Sequence, residues 1–294
     1  MDFTSSDASH IVCVETLLSH IDTHTESISA SEGLRIPIGM SNEGVHSLDL
    51  IENQMNAMVL GGEKSGKSNF IHTLIMSACY KYSPNELNVY LLDPKGSVEF
   101  ECYENLHLPH IKLVARGMDA TKSALCELEE EIMRRGQECK EQGLTLSQYV
   151  AKSRILIVID EVDLVLENEN TRSCIIDRLQ FLLKCGRRFG INVVMSLSSS
   201  IIIKYPITRT TVLSQCGSKI YLPLPDLSVL TSFYVDLQRA EELKNAPTGI
   251  SLFNDIRYGR NGIYLQIGFA DYNERLEIIK SIIKRWEHLK SYTE

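Results

Sequence analysis

No two of the eight cysteines form a CxxC pair, and His107 and His110, though close together, have no Cys, Asp or Glu partner at metal-site spacing. The sequence therefore offers no metal cage. Cys79 follows Ile75-Met76 and Cys126 falls within Ala124–Leu128, both inside apolar helical patterns, as expected of reduced, buried thiols in a cytoplasmic protein. No apolar run approaches the ~18–20 residues of a membrane span. The opening MDFTSSDASH is polar and acidic, unlike a secretory leader. Any work at a membrane would go through a partner or through a segment outside this chain. Excess positive charge is missing too: 30 Lys+Arg against 38 Asp+Glu leave a net charge of −8. That argues against a wholly basic nucleic-acid coat, while a ring could still keep a few basic groups in a central channel.

The 294 residues, 44% hydrophobic and 23% charged, suit one large α/β domain or two small ones. Residues 1–34 are rich in Ser, Thr, His and acid, and their apolar patch Ile11–Leu18 reads as one helix or as an arm docking on a neighbour. Around Ser41-Asn-Glu-Gly44 two short extended pieces read as a hairpin. From there the pattern alternates. Ala57–Leu60, Leu87–Leu92, Arg154–Asp160, Ile191–Ser196, Lys219–Leu224 and Ile263–Ile267 read as strands. Helices are expected over Asn69–Tyr82 (Phe70, Ile71, Leu74, Ile75 and Ala78 on one face), from an N-cap at Asp119 to about Gln142, over about Asn170–Phe189 and over Tyr272–Leu289. Pro223, Pro225 and Pro247 fall in connections. Strands alternating with helices imply a mainly parallel sheet with helices on both faces, and the wholly apolar Arg154–Asp160 strand fits a position covered on both sides.

The stretch Gly61-Gly-Glu-Lys-Ser-Gly-Lys-Ser68 joins the first of these strands to the first long helix. GxxxxGK[ST] in that context is a phosphate-binding P-loop. Glycines let the backbone wrap around a phosphate with successive N–H groups pointing inward, and the helix N-terminus adds partial positive charge. The expected ATP-binding residues are Gly61, Gly62, Glu63, Lys64, Ser65, Gly66, Lys67, Ser68 and Asn69. Lys67 would reach the β- and γ-phosphates, and Ser68 would hold Mg²⁺. The apolar strand that ends in Asp160-Glu161 supplies the carboxylates of an ATPase: Asp160 for Mg²⁺ and Glu161 for the attacking water. An acidic strand end that merely caps the next turn, with Asp163 nearby, is the plainer alternative.

Taken in order, GGEKSGKS, LLDPKGSVEFECYENLHLPHI (91–111), EEEIMRRGQECKEQGLTLSQY (129–149), ILIVIDEVDLV (155–165) and GRRFGINVVMS (186–196) resemble the motor domain of FtsK/SpoIIIE-type translocases, within the HerA/FtsK ATPases. Gly249-Ile-Ser-Leu-Phe253 resembles that family's late Gly-x-x-Leu-Phe strand. The resemblance runs from about Leu34 to Lys284, and it divides the chain into an N-terminal arm or docking segment (1–34) and an ATPase domain (35–290). It implies a RecA-like P-loop NTPase core, a ring, expected to be hexameric, with ATP between subunits, and a polymer drawn through the centre. Most members move double-stranded DNA, and a related branch exports proteins.

Two departures stand out. Ser196-Leu197-Ser198 replaces the family's Ala-Thr-Gln, so the Gln that senses the γ-phosphate is absent. Where the family places an arginine finger the nearest match is Lys219, a point charge without the guanidinium fork. Arg187 or Arg188 could take that role, or could be solvated charges at a helix C-terminus. Three readings follow: a DNA translocase, with a membrane or DNA-processing partner, whose channel cations would be Lys204 and Arg209; a secretion ATPase with a polypeptide cargo; or a weakly hydrolysing, nucleotide-gated regulatory subunit.

Overall fold

The computed structural model describes residues 11–23, 29–51, 56–167, 172–198 and 212–290. The polar loop holding Lys204 and Arg209 lies outside the described residues. The strands are β1 (Leu34–Ser41), β2 (Gly44–Leu50), β3 (Ala57–Leu60), β4 (Leu87–Asp93), β5 (Ile111–Arg116), β6 (Arg154–Ile159), β7 (Ile191–Leu197), β8 (Ser218–Tyr221), β9 (Ile250–Asn254) and β10 (Ile263–Ile267). They form a ten-stranded sheet in the order β2-β1-β10-β9-β8-β3-β7-β6-β4-β5. From β8 to β5 the neighbours run parallel. Beyond β8, β9, β10, β1 and β2 continue as an antiparallel wing built from hairpins.

The helices are α1 (Val14–Thr23), α2 (Lys67–Lys81), α3 (Glu101–Asn105), α4 (Met118–Glu141), α5 (Asp163–Glu167), α6 (Arg172–Cys185), α7 (Leu227–Ser232), α8 (Leu237–Lys244) and α9 (Tyr272–Lys290). Alternation along the central strands assigns them to two layers. Ala57 and Val59 of β3 and Leu156 and Val158 of β6 pack into the core shared with α1, α2 and α9. Met58 and Leu60 of β3 and Ile155, Ile157 and Ile159 of β6 pack into the core shared with α4, α6, α7 and α8. Every residue of β3, β6 and β7 is buried, as parallel strands covered on both faces must be. This is a mainly parallel α/β sheet between helical layers, the RecA-like arrangement that the resemblance implies.

Several sequence expectations shift. The α2 helix is not half-buried: every residue from Phe70 to Cys79 is covered. The side opposite the sheet is closed by α1 and by α9, whose Trp286 Nε1 donates to the Cys79 carbonyl at 2.8 Å. A single apolar face underestimates a helix that is enclosed by tertiary neighbours. Gly117, not Asp119, caps α4, and Asp119 lies in its first turn, where a carboxylate favours the helix dipole. The α6 helix ends at Cys185 and tightens into a 3₁₀ turn, Gly186–Phe189, closed by Gly190 at φ 72°. The β8 strand stops at Tyr221, short of Pro223, whose carbonyl accepts from the Gly62 N–H. Among unforeseen elements, β5 carries its period-two signal openly in Ile111, Leu113 and Ala115. Its Lys112 and Arg116 are exposed at the end of the sheet.

The Ile11–Leu18 patch forms most of α1, and it docks on its own chain. Phe269 donates its N–H to the Val12 carbonyl and Val14 donates to the Phe269 carbonyl. Leu17 is fully buried against Gly268, where a built Cβ would come within 2.7 Å of the leucine methyl. Leu17→Ala is therefore expected to destabilise the chain by about 2–4 kcal/mol in urea unfolding. An unchanged midpoint would mean that α1 does not pack on this core.

Candidate nucleotide-binding site

The β3 strand runs directly into Gly61–Ser68, and α2 begins at Lys67. Gly66 caps the helix at φ 108°, a left-handed conformation that strains any other residue. Gly61 packs against Ser65, whose hydroxyl donates to the Gly62 carbonyl at 2.9 Å. Lys67 Nζ donates to the Gly61 and Gly62 carbonyls at 3.0 and 2.7 Å, which closes the loop into a ring. Ser68 and Asn69 are half-buried in the first turn, while Glu63 and Lys64 are exposed at the loop tip. Asn69 Nδ2 and the Thr73 hydroxyl both donate to the Gly268 carbonyl, at 2.7 and 2.6 Å, fixing α2 against the end of β10. From the other side Gly249, the glycine before β9, donates its N–H to the Ser65 carbonyl.

Register sets the acidic half of the site beside this loop. Leu60 pairs with Leu197 on β7, and Ile159 on β6 pairs with Met195. Asp160, Glu161 and the P-loop therefore emerge at one edge of the sheet. Burial pushes the Lys67 ammonium below its usual range, and Asp163, Asp160, Glu161 and Glu63 pull it back up. The lysine thus feels both carboxylates of the pair. Burial lifts Asp160 and Asp163 each to about 6. Asp163 accepts from the Ser198 N–H at 2.6 Å, while its other oxygen is buried without a hydrogen-bond partner. These buried carboxylate oxygens, together with the Ser68 hydroxyl, are donors of the kind a hard divalent cation takes.

Ser196, which marks one of the departures from the family pattern, organises the pair. Its hydroxyl donates to Asp160 Oδ1 and accepts from the Glu161 N–H at 2.9 Å. Glu161 itself sits at φ 47°. That turn swings its carboxylate away from Asp160 and to within 3.1 Å of Lys95 Nζ, the lysine of Asp-Pro-Lys. Asp93 in turn accepts from the Lys95 and Gly96 N–H groups and from Ser97 Oγ, fixing the loop that carries the lysine. Behind the P-loop, buried His72 on α2 joins the Tyr103 hydroxyl at 2.7 Å and Glu99 at 2.6 Å. Composition and spacing did not disclose Ser196, Lys95 or His72 as parts of the site. The Asp-Pro-Lys element was the one available signal.

The remaining candidates lie elsewhere. Lys219 is largely buried, and its ammonium donates to the Cys216 carbonyl at 3.0 Å, before β8 begins and away from the P-loop edge. Arg187 and Arg188 are exposed in the turn that precedes β7, also at the far edge. Within one chain neither edge reaches the other. The Arg-Arg pair of α4 is structural: buried Arg135 donates to the Ser153 and Phe189 carbonyls at 2.9 and 2.6 Å, and Glu131 holds both arginines.

A phosphate-cradling loop at a helix start, with an Asp-Glu strand end two strands away in a parallel sheet, defines a P-loop NTPase core. Residues 22–209 match the FtsK/SpoIIIE family, and the chain belongs to it. It is 30% identical over 193 residues to the ESX secretion system protein EccC of Thermomonospora curvata, covering 61% of this chain and 14% of that protein. It is 27% identical over 179 residues to the DNA translocase FtsK of Borreliella burgdorferi, covering 55% of this chain and 22% of that one. The chain thus spans less than a quarter of either relative. Among solved structures, EccC ATPases 2 and 3 of T. curvata in complex with a signal sequence peptide superpose with a TM-score of 0.70 at 21% identity, over 96% of this chain and 51% of that one. That likeness shows the fold. No helix among the described residues is long and apolar enough to cross a membrane.

Because burial raises the Asp160 pKa, its charge costs nothing below the unfolded value near 4. The cost grows as pH rises toward 6 and is complete above it. Asp160→Asn is therefore expected to stabilise the nucleotide-free chain by up to about 3 kcal/mol near neutral pH, and by progressively less as pH falls from about 6 to 4. Thermal melts across that range check it, and a gain that does not vary with pH would contradict it.

Proposed function

We propose that the chain is an ATP-hydrolysing motor unit of FtsK/SpoIIIE type that moves double-stranded DNA, working in a ring, expected to be hexameric, with other copies. The observation that carries this reading is the convergence of Lys67 with Asp160 and Glu161 at one sheet edge. In the proposed cycle the Lys67 ammonium leaves the Gly61 and Gly62 carbonyls for the β- and γ-phosphate oxygens, and the loop N–H groups take the phosphates. Ser68 and Asp160 would hold Mg²⁺, whose positive charge would offset the charge on the phosphate oxygens. Glu161 orients the attacking water, and Lys95 holds Glu161 in place. Of the cations a neighbour could offer in trans, exposed Arg187 is free to reach across a ring interface, whereas Lys219 is tied to Cys216. A membrane or DNA-processing partner would complete the system.

A polypeptide cargo is the second reading. Its support is the likeness to EccC, one structure of which holds a signal sequence peptide, and the chain's net charge of −8.

Lys67→Ala should abolish ATP binding in calorimetry. Glu161→Gln should keep binding and lose hydrolysis by roughly 10²-fold or more. A Glu161→Gln protein that turns over normally would remove the carboxylate from the mechanism, and a chain that hydrolyses poorly and keeps its function in Glu161→Gln but loses it in Lys67→Ala would be a regulatory subunit.

Duplex DNA should stimulate ATPase activity at low salt, where phosphate contacts are strongest. No response to any nucleic acid, with stimulation by a secreted polypeptide, would transfer the proposal to protein export.

A further inference from the structure

At the sheet edge opposite the P-loop, between the turn before β7 and the segment leading into β6, lies a cavity of about 680 Å³ lined by Arg154, Arg187, Arg188, Glu32, Tyr149 and Val150. It is separated from the nucleotide site by the length of β6, roughly 20 Å at the usual rise per strand residue. Arg154 is only 7% exposed. Two of its nitrogens donate to the Ala30 and Ser31 carbonyls, while its Nη1 is buried and has no hydrogen-bond partner. The two backbone carbonyls hold the guanidinium without neutralising it, and no carboxylate pairs with Arg154 among the described residues. Arg187 and Arg188 project from the rim and make no ion pair among the described residues. In a chain of net charge −8, three guanidiniums at one cavity form a marked local excess.

We infer that this cavity binds a small phosphorylated molecule. Three arginines against Glu32 leave two positive charges, the complement of a phosphate monoester dianion, and the guanidinium fork matches phosphate oxygens. Exposed Val150 and the Tyr149 ring offer an apolar wall for the organic part of the ligand. The volume falls in the range of small-ligand sites, roughly 300–1,000 Å³.

The test uses the full chain carrying Lys67→Ala, which removes the P-loop as a phosphate site and so makes the outcome independent of the motor reading. AMP, inorganic pyrophosphate and, as a carboxylate control, citrate are titrated by calorimetry at concentrations where sedimentation shows a monomer. AMP or pyrophosphate should bind at one site with millimolar affinity or tighter, and citrate should bind more weakly. Adding Arg187→Glu with Arg188→Glu should weaken AMP by about tenfold or more, and Arg188→Gln alone by a smaller factor, with unchanged melting temperatures. Absence of binding by both phosphate probes overturns the proposal. So does binding that the charge reversals leave intact, binding in which citrate is preferred, or binding that appears only when the chain self-associates.

Discussion

The site depends on the registration of three neighbouring strands. With β7 hydrogen-bonded between β3 and β6, the loop that follows β3 and the carboxylates that follow β6 meet above the same strand end, where Ser196 holds both Asp160 and Glu161. Parallel pairing makes this possible, because all three strands release their loops at one edge. A slip of one residue in β7 would turn Ser196 to the opposite face of the sheet and leave Asp160 buried without its donor. The complete burial of these predominantly apolar strands locks the register from both faces.

The enclosure of α2 supports that geometry from behind. A P-loop helix must hold its first turn still while the loop accommodates a ligand. Here Thr73 and Asn69 are bonded to Gly268, His72 to Tyr103 and Glu99, and Trp286 to the carbonyl of Cys79. The antiparallel wing and α1 thereby brace the nucleotide site: they bury the faces of α2 that the parallel core leaves open, and the segments flanking β9 and β10 bond Ser65 and Asn69 directly. Glu99 also connects the two halves of the site, since it accepts from His72 Nε2 and its charge bears on Asp160.

Much of this was legible in the chain itself. The P-loop and the strand ending in Asp160-Glu161 announce themselves because phosphate wrapping needs glycine and parallel core strands need continuous apolar runs. What escaped was of another kind. Asp119 looks like a cap because its side chain is suitable, yet the backbone enters α4 two residues earlier, through Gly117. Lys95 and Ser196 gain their roles from pairing between segments about 65 and 35 residues apart, and no local pattern encodes that. Ser196-Leu197-Ser198 reads in the sequence as a loss of the family's Gln. In space its first serine is the residue that joins the two acids.

The outer strand β5 has a consequence for how copies of the chain can meet. Its outer margin carries exposed Lys112 and the Arg116–Glu104 ion pair, and an incoming strand would have to lay its backbone along these hydrated charges. Growth of the sheet from one molecule into the next is disfavoured at that margin. On that side of the molecule, contact between copies is left to loops and helices, surfaces that can part and re-form without unzipping a β-ladder.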